Sequence, residues 1–213
     1  MKIDSAALIR MLRGFGHRIR ANHEILSKLD SFGGDGDHGT TMLRAVTRLE
    51  QTLDGSSTAG MGNLLKEVGW AILGVDGGAT GPLFGTFFMS ASEAVGERDT
   101  LDAEGLASML EAGLRGVRKR TQADVGDKTL MDALVPAVEA ARGGDENDPD
   151  VLAVLRMVAE AAEDGAGSTE QLRARFGRAK NLGEGSVGSE DPGARSVALM
   201  FQGFLDGILD SAM

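Results

Sequence analysis

The chain has 213 residues, of which 42% are hydrophobic and 25% charged, with a formal net charge of −10 and no cysteine. This composition can bury a core, which excludes a disordered chain, and its acidic balance argues against a nucleic-acid partner. The lack of cysteine excludes disulfides, zinc–thiolate sites and cysteine nucleophiles, and no apolar run reaches membrane-spanning length.

Apolar residues recur at steps of three and four almost everywhere, which is typical of amphipathic helices. The fourth predicted helix, residues 80–96, is mainly apolar, so we expect it to be a central helix that is buried on most sides. Pro136 should kink the sixth helix or restrict its start, Pro149 suits the first turn of the seventh, and Gly165–Thr169 could divide the seventh. The eight predicted helices cover residues 5–27, 41–53, 59–74, 80–96, 102–120, 129–142, 149–179 and 194–210.

Glycine-rich connectors separate these helices, and no repeat of fixed period is visible. The simplest architecture is therefore all-α, a single domain over residues 1–213 built as an antiparallel bundle or barrel. Charges interrupt residues 1–20, so a signal peptide is not indicated and we expect a cytoplasmic protein. The connectors are Gly33–Gly39, Gly77–Gly81, Gly143–Asp150 and Gly183–Gly193.

The connector LDSFGGDGDHGTTM, residues 29–42, carries three carboxylates: Asp30, Asp35 and Asp37. A glycine-rich loop can fold back and bring them together, and hard cations such as Mg²⁺ prefer oxygen ligands. The stretch His38–Thr41 then opens a helix whose N–H groups would face an anion. An N-capping surface loop is the simpler alternative. An EF-hand is excluded, because the twelfth position counted from Asp30 or Asp35 is not glutamate.

Two further glycine-containing segments give weaker signals. In DGGATGPLFGTFF, residues 76–88, the glycines permit close backbone approach, and Ala79 and Thr80 can present donors; a plain tight turn is the alternative. In VGDKTLMDAL, residues 125–134, the spacing excludes a Walker A loop. Thr129 and Asp132 suit a helix start, and Lys128 is expected to be solvated.

The segment FGRAKNLGEGSVGSEDPGARS, residues 176–196, combines Arg178 with a polar glycine loop. Arginine can hold phosphate through two donors, and a loop that closes over a nucleotide excludes water from the reacting phosphate. A solvent-exposed interhelical loop is the alternative.

Taken together, GDGDHGTTM, GGATGPLFGTFF, GDKTLMDAL and GRAKNLGE followed by DPGA resemble the L subunits of dihydroxyacetone kinases and the nucleotide-binding domain of single-chain dihydroxyacetone kinases. The resemblance covers nearly the whole chain, in the same order and spacing. It implies an eight-helix antiparallel barrel with a nucleotide, ADP or ATP, at one end. It also implies a separate K subunit that binds the ketose covalently, so that this chain is the phosphoryl-donor half.

The resemblance also implies site residues. Two Mg²⁺ ions would be held by Asp30, Asp35 and Asp37, through which those residues act in catalysis. The nucleotide would contact a second set of residues: His38, Gly39, Thr40, Thr41, Ala79, Thr80, Leu130, Arg178, Asp191, Pro192 and Gly193.

The chain departs from the family pattern outside the three aspartates. The family commonly has asparagine where Thr41 stands and methionine where Leu130 stands. Its last motif commonly has serine, tyrosine, arginine and histidine at four positions that differ here, and these changes suggest a paralogue for another ketose, such as a tetrulose, with a different K partner. The four positions are Lys180, Asn181, Gly185 and Ser189.

Phosphoryl transfer asks a protein mainly to position groups and neutralise charge, so no nucleophile of this chain is needed. Two family variants stay open: ATP that binds and exchanges, or bound ADP that a phosphotransferase-system protein rephosphorylates. A non-catalytic nucleotide-binding regulator is a further alternative. A plain helical scaffold would leave the acidic glycine loop unexplained.

Overall fold

The computed structural model describes residues 1–55, 60–143 and 150–210. Within them a two-stranded antiparallel sheet, β1 (Ile3–Asp4) with β2 (Thr100–Leu101), accompanies the helices, and two 3₁₀ segments, Thr169–Gln171 and Ala179–Ser186, precede the last helix. Eight α-helices make up the rest of the regular structure: α1 (Ser5–Ser31), α2 (His38–Gly55), α3 (Met61–Leu73), α4 (Thr80–Val95), α5 (Ala103–Arg118), α6 (Met131–Ala140), α7 (Val151–Ser168) and α8 (Pro192–Leu209).

The predicted all-α fold is confirmed, and four of its helices begin where an aspartate caps the first turn. The Asp4 carboxylate accepts a hydrogen bond from Ala7 N at 2.8 Å at the start of α1. Equivalent caps begin α5, α7 and α8, at Asp102, Asp150 and Asp191. Each cap satisfies a backbone N–H that has no partner within the helix. The Pro149 prediction lies outside the described residues, as does most of the connector that contains it.

The prediction of a helix over residues 149–179 is wrong, because α7 ends at Ser168. The Ser168 hydroxyl donates to Gly165 O at 2.7 Å, and the Thr169 hydroxyl donates to Ala166 O at 2.5 Å. These side chains compete for the last carbonyl groups of the helix and help to end it. The interruption foreseen at Gly165–Thr169 is therefore the true end of the helix. The sixth helix, by contrast, runs through Pro136 as one element.

The eight helices form a closed ring in which each packs against its neighbours in sequence and α8 returns to α1. Close approach of the closing pair requires glycine, since a Cβ on Gly14 or Gly203 would lie far inside the van der Waals radius of the opposite backbone. As predicted, α4 is buried on most sides. It is a member of the ring between α3 and α5, however, and not a central helix.

The core inside this ring is one continuous cluster of apolar residues from all eight helices. Phenylalanine rings pack at its centre, for example Phe15 against Phe84 with centroids 6.1 Å apart and Phe87 against Phe88 at 5.4 Å. Extending the single-domain interpretation to all of residues 1–213 stays a prediction. None of the helices in the described part of the chain combines the length and apolar character needed to cross a lipid bilayer.

Candidate functional site

A cleft of about 410 Å³ opens at one end of the ring. Because neighbouring helices alternate in direction, the N-termini of α2, α4, α6 and α8 all reach this end, together with the last turn of α1. Helix N-termini carry unsatisfied N–H groups and a partial positive charge. The fold thus places four anion-attracting helix ends around one cavity.

The acidic connector brings its three carboxylates together at the edge of this cleft. Asp30 lies in the last turn of α1, Asp35 and Asp37 lie in the loop, and one carboxylate oxygen from each falls within 4.8 Å of the others. The loop folds back because Gly34 N donates to Asp30 O at 2.6 Å, and Gly36 adopts φ +77°. A hard divalent cation fits such an all-oxygen set.

The charges of this cluster are only partly compensated within the protein. Desolvation and the negative charges of Asp35 and Asp30 raise the pKa of Asp37 above its ordinary value. Desolvation acts in the same direction on Asp35, but the hydrogen bond and charge of Arg178 outweigh it and hold the pKa of Asp35 below its ordinary value. Arg178 therefore forms an ion pair with Asp35, one of the carboxylates that would bind a cation.

His38 joins three helix N-termini through its ring. Its Nε2 lies 2.8 Å from the Ser196 hydroxyl, which itself donates to Pro192 O at 2.9 Å, so Nε2 carries the hydrogen and Ser196 accepts it. The Nδ1 atom then accepts from the Thr80 hydroxyl at 3.2 Å. Burial lowers the pKa of His38 to about 4, so the ring is neutral at physiological pH.

Of the predicted nucleotide contacts, two do not reach the cleft. Gly39 packs against α1, where a Cβ would collide with His23 O, and Thr40 is exposed outside the cavity. The other predicted site residues, metal ligands included, all line the cleft: Asp30, Asp35, Asp37, His38, Thr41, Ala79, Thr80, Leu130, Arg178, Asp191, Pro192 and Gly193. Their roles in binding and catalysis stay predictions.

The four departures from the family pattern fall in different places. Lys180 and Asn181 line a separate open groove beside Arg173 and Arg175, whereas Ser189 lines the cleft. Gly185 lies in the second 3₁₀ segment and lines neither.

The expectation that Lys128 is solvated is wrong. The residue is 5% exposed, and its ammonium group donates to Thr169 O at 2.5 Å and to Ser189 O. Those partners are backbone oxygens 41 and 61 residues away, which leave no mark on the local sequence. Asp132 lies in the first turn of α6, but its carboxylate accepts from Thr129 N at 2.7 Å and from Gly126 N at 2.6 Å, so it holds the loop before the helix.

Sequence reasoning also missed Ser196, which accepts the His38 hydrogen across 158 residues. A serine four residues into a helix that starts at a cap–proline pair gives only a weak signal. This position indicates that the serine side chain lies on the inner face near the helix start, but it does not indicate which residue the hydroxyl contacts.

The family model of the DAK2 domain matches residues 33–206. The chain belongs to the DAK2 domain family. It is 40% identical to PEP-dependent dihydroxyacetone kinase 1, ADP-binding subunit DhaL, of Listeria innocua, over 96% of this chain and 98% of that protein. It is 39% identical to the corresponding Escherichia coli subunit, over 95% of this chain and 96% of that one. The predicted resemblance to dihydroxyacetone kinase L subunits is confirmed, and the DAK2 chain is a phosphotransferase subunit.

A solved structure supports the fold of this DAK2 domain. The dihydroxyacetone kinase of C. freundii in its native form matches with a TM-score of 0.72 and 26% identity, over 94% of this chain and 34% of that chain. The same enzyme in complex with AMP-PNP and Mg²⁺ matches with a TM-score of 0.70 and 25% identity, over 97% of this chain and 34% of that chain. The DAK2 chain therefore corresponds to about a third of that longer protein.

Proposed function

We propose that this chain is the ADP- or ATP-binding, phosphoryl-donating subunit of a kinase for short ketoses, and that the ketose is held on a separate K subunit. The observation that carries the proposal is the meeting of three carboxylates with four helix N-termini in one cleft. A nucleoside diphosphate with its divalent metal needs both features together, because the metal binds carboxylate oxygens and the phosphates accept hydrogen bonds from N–H donors.

The described residues suit this role in distinct ways. Asp30, Asp35 and Asp37 would hold two Mg²⁺ ions, which neutralise phosphate charge when bound. Arg178, on the segment that borders the cleft, can exchange its ion pair with Asp35 for a phosphate. Thr80 donates to His38, so its hydroxyl is oriented by the protein before a ligand arrives.

The relatives favour one of the two donor variants. Subunits at 34% to 40% identity are named PEP-dependent or PTS-dependent and ADP-binding. We infer that ADP stays bound in this chain and is rephosphorylated by a phosphotransferase-system protein, which would be the second partner beside the K subunit. A cytoplasmic location stays a prediction from the sequence.

A tetrulose is the second candidate substrate. D-erythrulose kinase and L-erythrulose 1-kinase of Mycolicibacterium smegmatis are each 32% identical to this chain, which covers 31% and 34% of their lengths. Together with the departures at Lys180 and Asn181, these relatives favour testing erythrulose beside dihydroxyacetone.

Thermal unfolding with ADP tests the nucleotide site. At a ligand concentration of about 100 times the dissociation constant, binding should add about 2.7 kcal/mol to the free energy of unfolding, and only when Mg²⁺ is present. A stabilisation of the same size in EDTA would contradict a metal-bridged nucleotide.

Activity assays of the chain alone and of the mixed components test the two-subunit hypothesis. The chain alone, with Mg²⁺ and nucleotide, should not phosphorylate dihydroxyacetone or erythrulose, because small ketoses need a dedicated polar pocket. Addition of the K subunit and the phosphoryl donor should restore product formation. Turnover by the chain alone would refute the proposal, whereas metal-dependent ADP binding without turnover in any mixture would favour the regulatory alternative.

A further inference from the structure

Lys128 occupies an unusual position just before α6. It is the one non-glycine residue with positive φ, +60°, among the described residues, and it is almost fully buried. A left-handed backbone is disfavoured for a residue with a side chain, and burial of an ammonium group is costly without partners. Both costs indicate that the surrounding structure fixes this residue.

The ammonium group of Lys128 contacts the two ends of the segment that joins α7 to α8, residues 169–191, here called the lid segment. Thr169 O belongs to its first residue and Ser189 O lies near its last. The same ends are tied to each other, because Gly188 N donates to Glu170 O at 2.8 Å and Asp191 N donates to the Thr169 hydroxyl at 2.8 Å. The lid segment is thus a loop with a closed neck, and Lys128 lies at the neck.

The neck also adjoins the cleft. Asp191 caps α8 and lines the cavity, and Arg178 reaches the acidic cluster from the middle of the lid segment. On its other side, the loop that carries Lys128 meets the lid segment again, since Arg175 N donates to Asp127 O at 3.1 Å and the two side chains form an ion pair at 3.2 Å.

Acidic side chains surround the buried ammonium group at the neck. Burial lowers the pKa of Lys128, and the carboxylates around it oppose that effect by favouring the charged form. These carboxylates are Asp191, Asp132, Glu170 and Glu190. The ammonium group is therefore both hydrogen-bonded and electrostatically compensated, as a buried cation requires.

We propose that Lys128 is a positioning residue that holds the neck of the lid segment closed and so sets Arg178 and the N-terminus of α8 toward the bound nucleotide. The inference rests on the proposed nucleotide site. Lys128 also lines the cleft, but its ammonium group is held by two backbone oxygens of the lid segment. We therefore expect it to act on the ligand through the lid segment, and a change in the lid without nucleotide distinguishes this role from a direct contact. Its loss should loosen the lid and accelerate release of ADP.

Two measurements on one set of variants test this role. Trypsin cleavage at the lid arginines, followed without nucleotide, reports on the neck, and displacement of a fluorescent ADP analogue with Mg²⁺ reports the rate of release. Lys128→Met should increase both rates by about tenfold or more, because two charged hydrogen bonds are lost. Lys128→Arg, which keeps the charge and the donors, should recover most of the loss, and the exposed lid lysine variant Lys180→Met should match the wild type in both rates.

The outcomes separate this inference from the proposed function. Wild-type protein that fails to bind the ADP analogue would refute the nucleotide site, and the cleavage rates alone would then decide on Lys128. Unchanged cleavage and release in Lys128→Met would overturn the inference, as would a Lys128→Arg variant as impaired as Lys128→Met at equal thermal stability. If Lys128→Met does not fold, Lys128→Gln, which keeps one donor group, takes its place with the same criteria.

Discussion

Replacing Asp191 with asparagine should change how the stability of the protein depends on pH. The Asp191 carboxylate caps α8 by accepting from Ala194 N at 2.8 Å. Burial, aided by the charge of Asp132 and opposed by Ala194 N–H and Lys128, raises its pKa from 3.8 to about 7. Asparagine keeps an oxygen for the cap but has no proton to exchange in this range.

The direction and size of the effect follow from proton linkage. The native state keeps the Asp191 proton up to about pH 7 and the unfolded chain releases it near 3.8, so this group makes the wild type lose stability as the pH rises between those values. The full difference between the native and unfolded pKa of Asp191 corresponds to about 4 kcal/mol of unfolding free energy. Solvent screening at this half-buried carboxyl reduces the expected effect to about 2 kcal/mol. The free energy of unfolding of Asp191→Asn, relative to that of the wild type, should therefore be about 2 kcal/mol higher at pH 8 than at pH 4.

Urea unfolding of both proteins between pH 4 and 8 measures this directly. Other titrating groups are common to the two proteins, so the difference between their free energies of unfolding isolates Asp191. Asp102→Asn, at the exposed cap of α5 where Gly105 N donates to the carboxylate at 2.9 Å, controls for the change of a capping group. Parallel stability curves for wild type and Asp191→Asn would refute the assignment of a raised pKa to this carboxyl.

Three further changes probe the cluster and the fold. Asp37→Asn should abolish phosphoryl transfer in the complete system, while the circular dichroism spectrum stays helical. Near-wild-type turnover of this variant at limiting Mg²⁺ would contradict the ligand role. The control Asp99→Asn, an exposed change outside the cleft, should leave turnover unaltered. Arg178→Met should let Mg²⁺ alone bind up to about fivefold more tightly, because an exposed ion pair no longer competes, and should weaken ADP binding; calorimetry that finds weaker Mg²⁺ binding would exclude this competition. Gly203→Ala should lower the free energy of unfolding by about 2–3 kcal/mol through overpacking. Gly55→Ala, for which no neighbour among the described residues lies within 4 Å of the added Cβ, should be neutral or slightly stabilising in the same urea titration.

The sequence predicted the helices well because an apolar period of three to four residues is a local property. It also predicted the meeting of Asp30, Asp35 and Asp37, since glycines at 33, 34 and 36 leave a short loop free to turn back. The boundaries were less accurate where side chains compete with the helix for its last carbonyls, as Ser168 does.

What the sequence could not predict depends on distant backbone atoms. The partners of Lys128 are carbonyl oxygens, which every residue carries, so neither its burial nor its positive φ could be read from GDKT. The pairing of β1 with β2 is only two residues long and has no alternating pattern. The nucleotide contact of Gly39 was implied by the family resemblance and stays a prediction, while its close packing against His23 of α1 has no mark in the local sequence.

Closure of the ring by α1 and α8 has a consequence for the synthesis of the chain. Arg10 Nε donates to Gly207 O at 3.1 Å across 197 residues, so α1 is synthesised well before α8 and is fully packed only when α8 has followed. Contacts of such separation form late, and apolar surface exposed meanwhile favours aggregation. Until α8 emerges, Phe15 lacks the ring of Phe204, which packs against it with centroids 6.5 Å apart, and the apolar face of α1 would be open to binding by a chaperone.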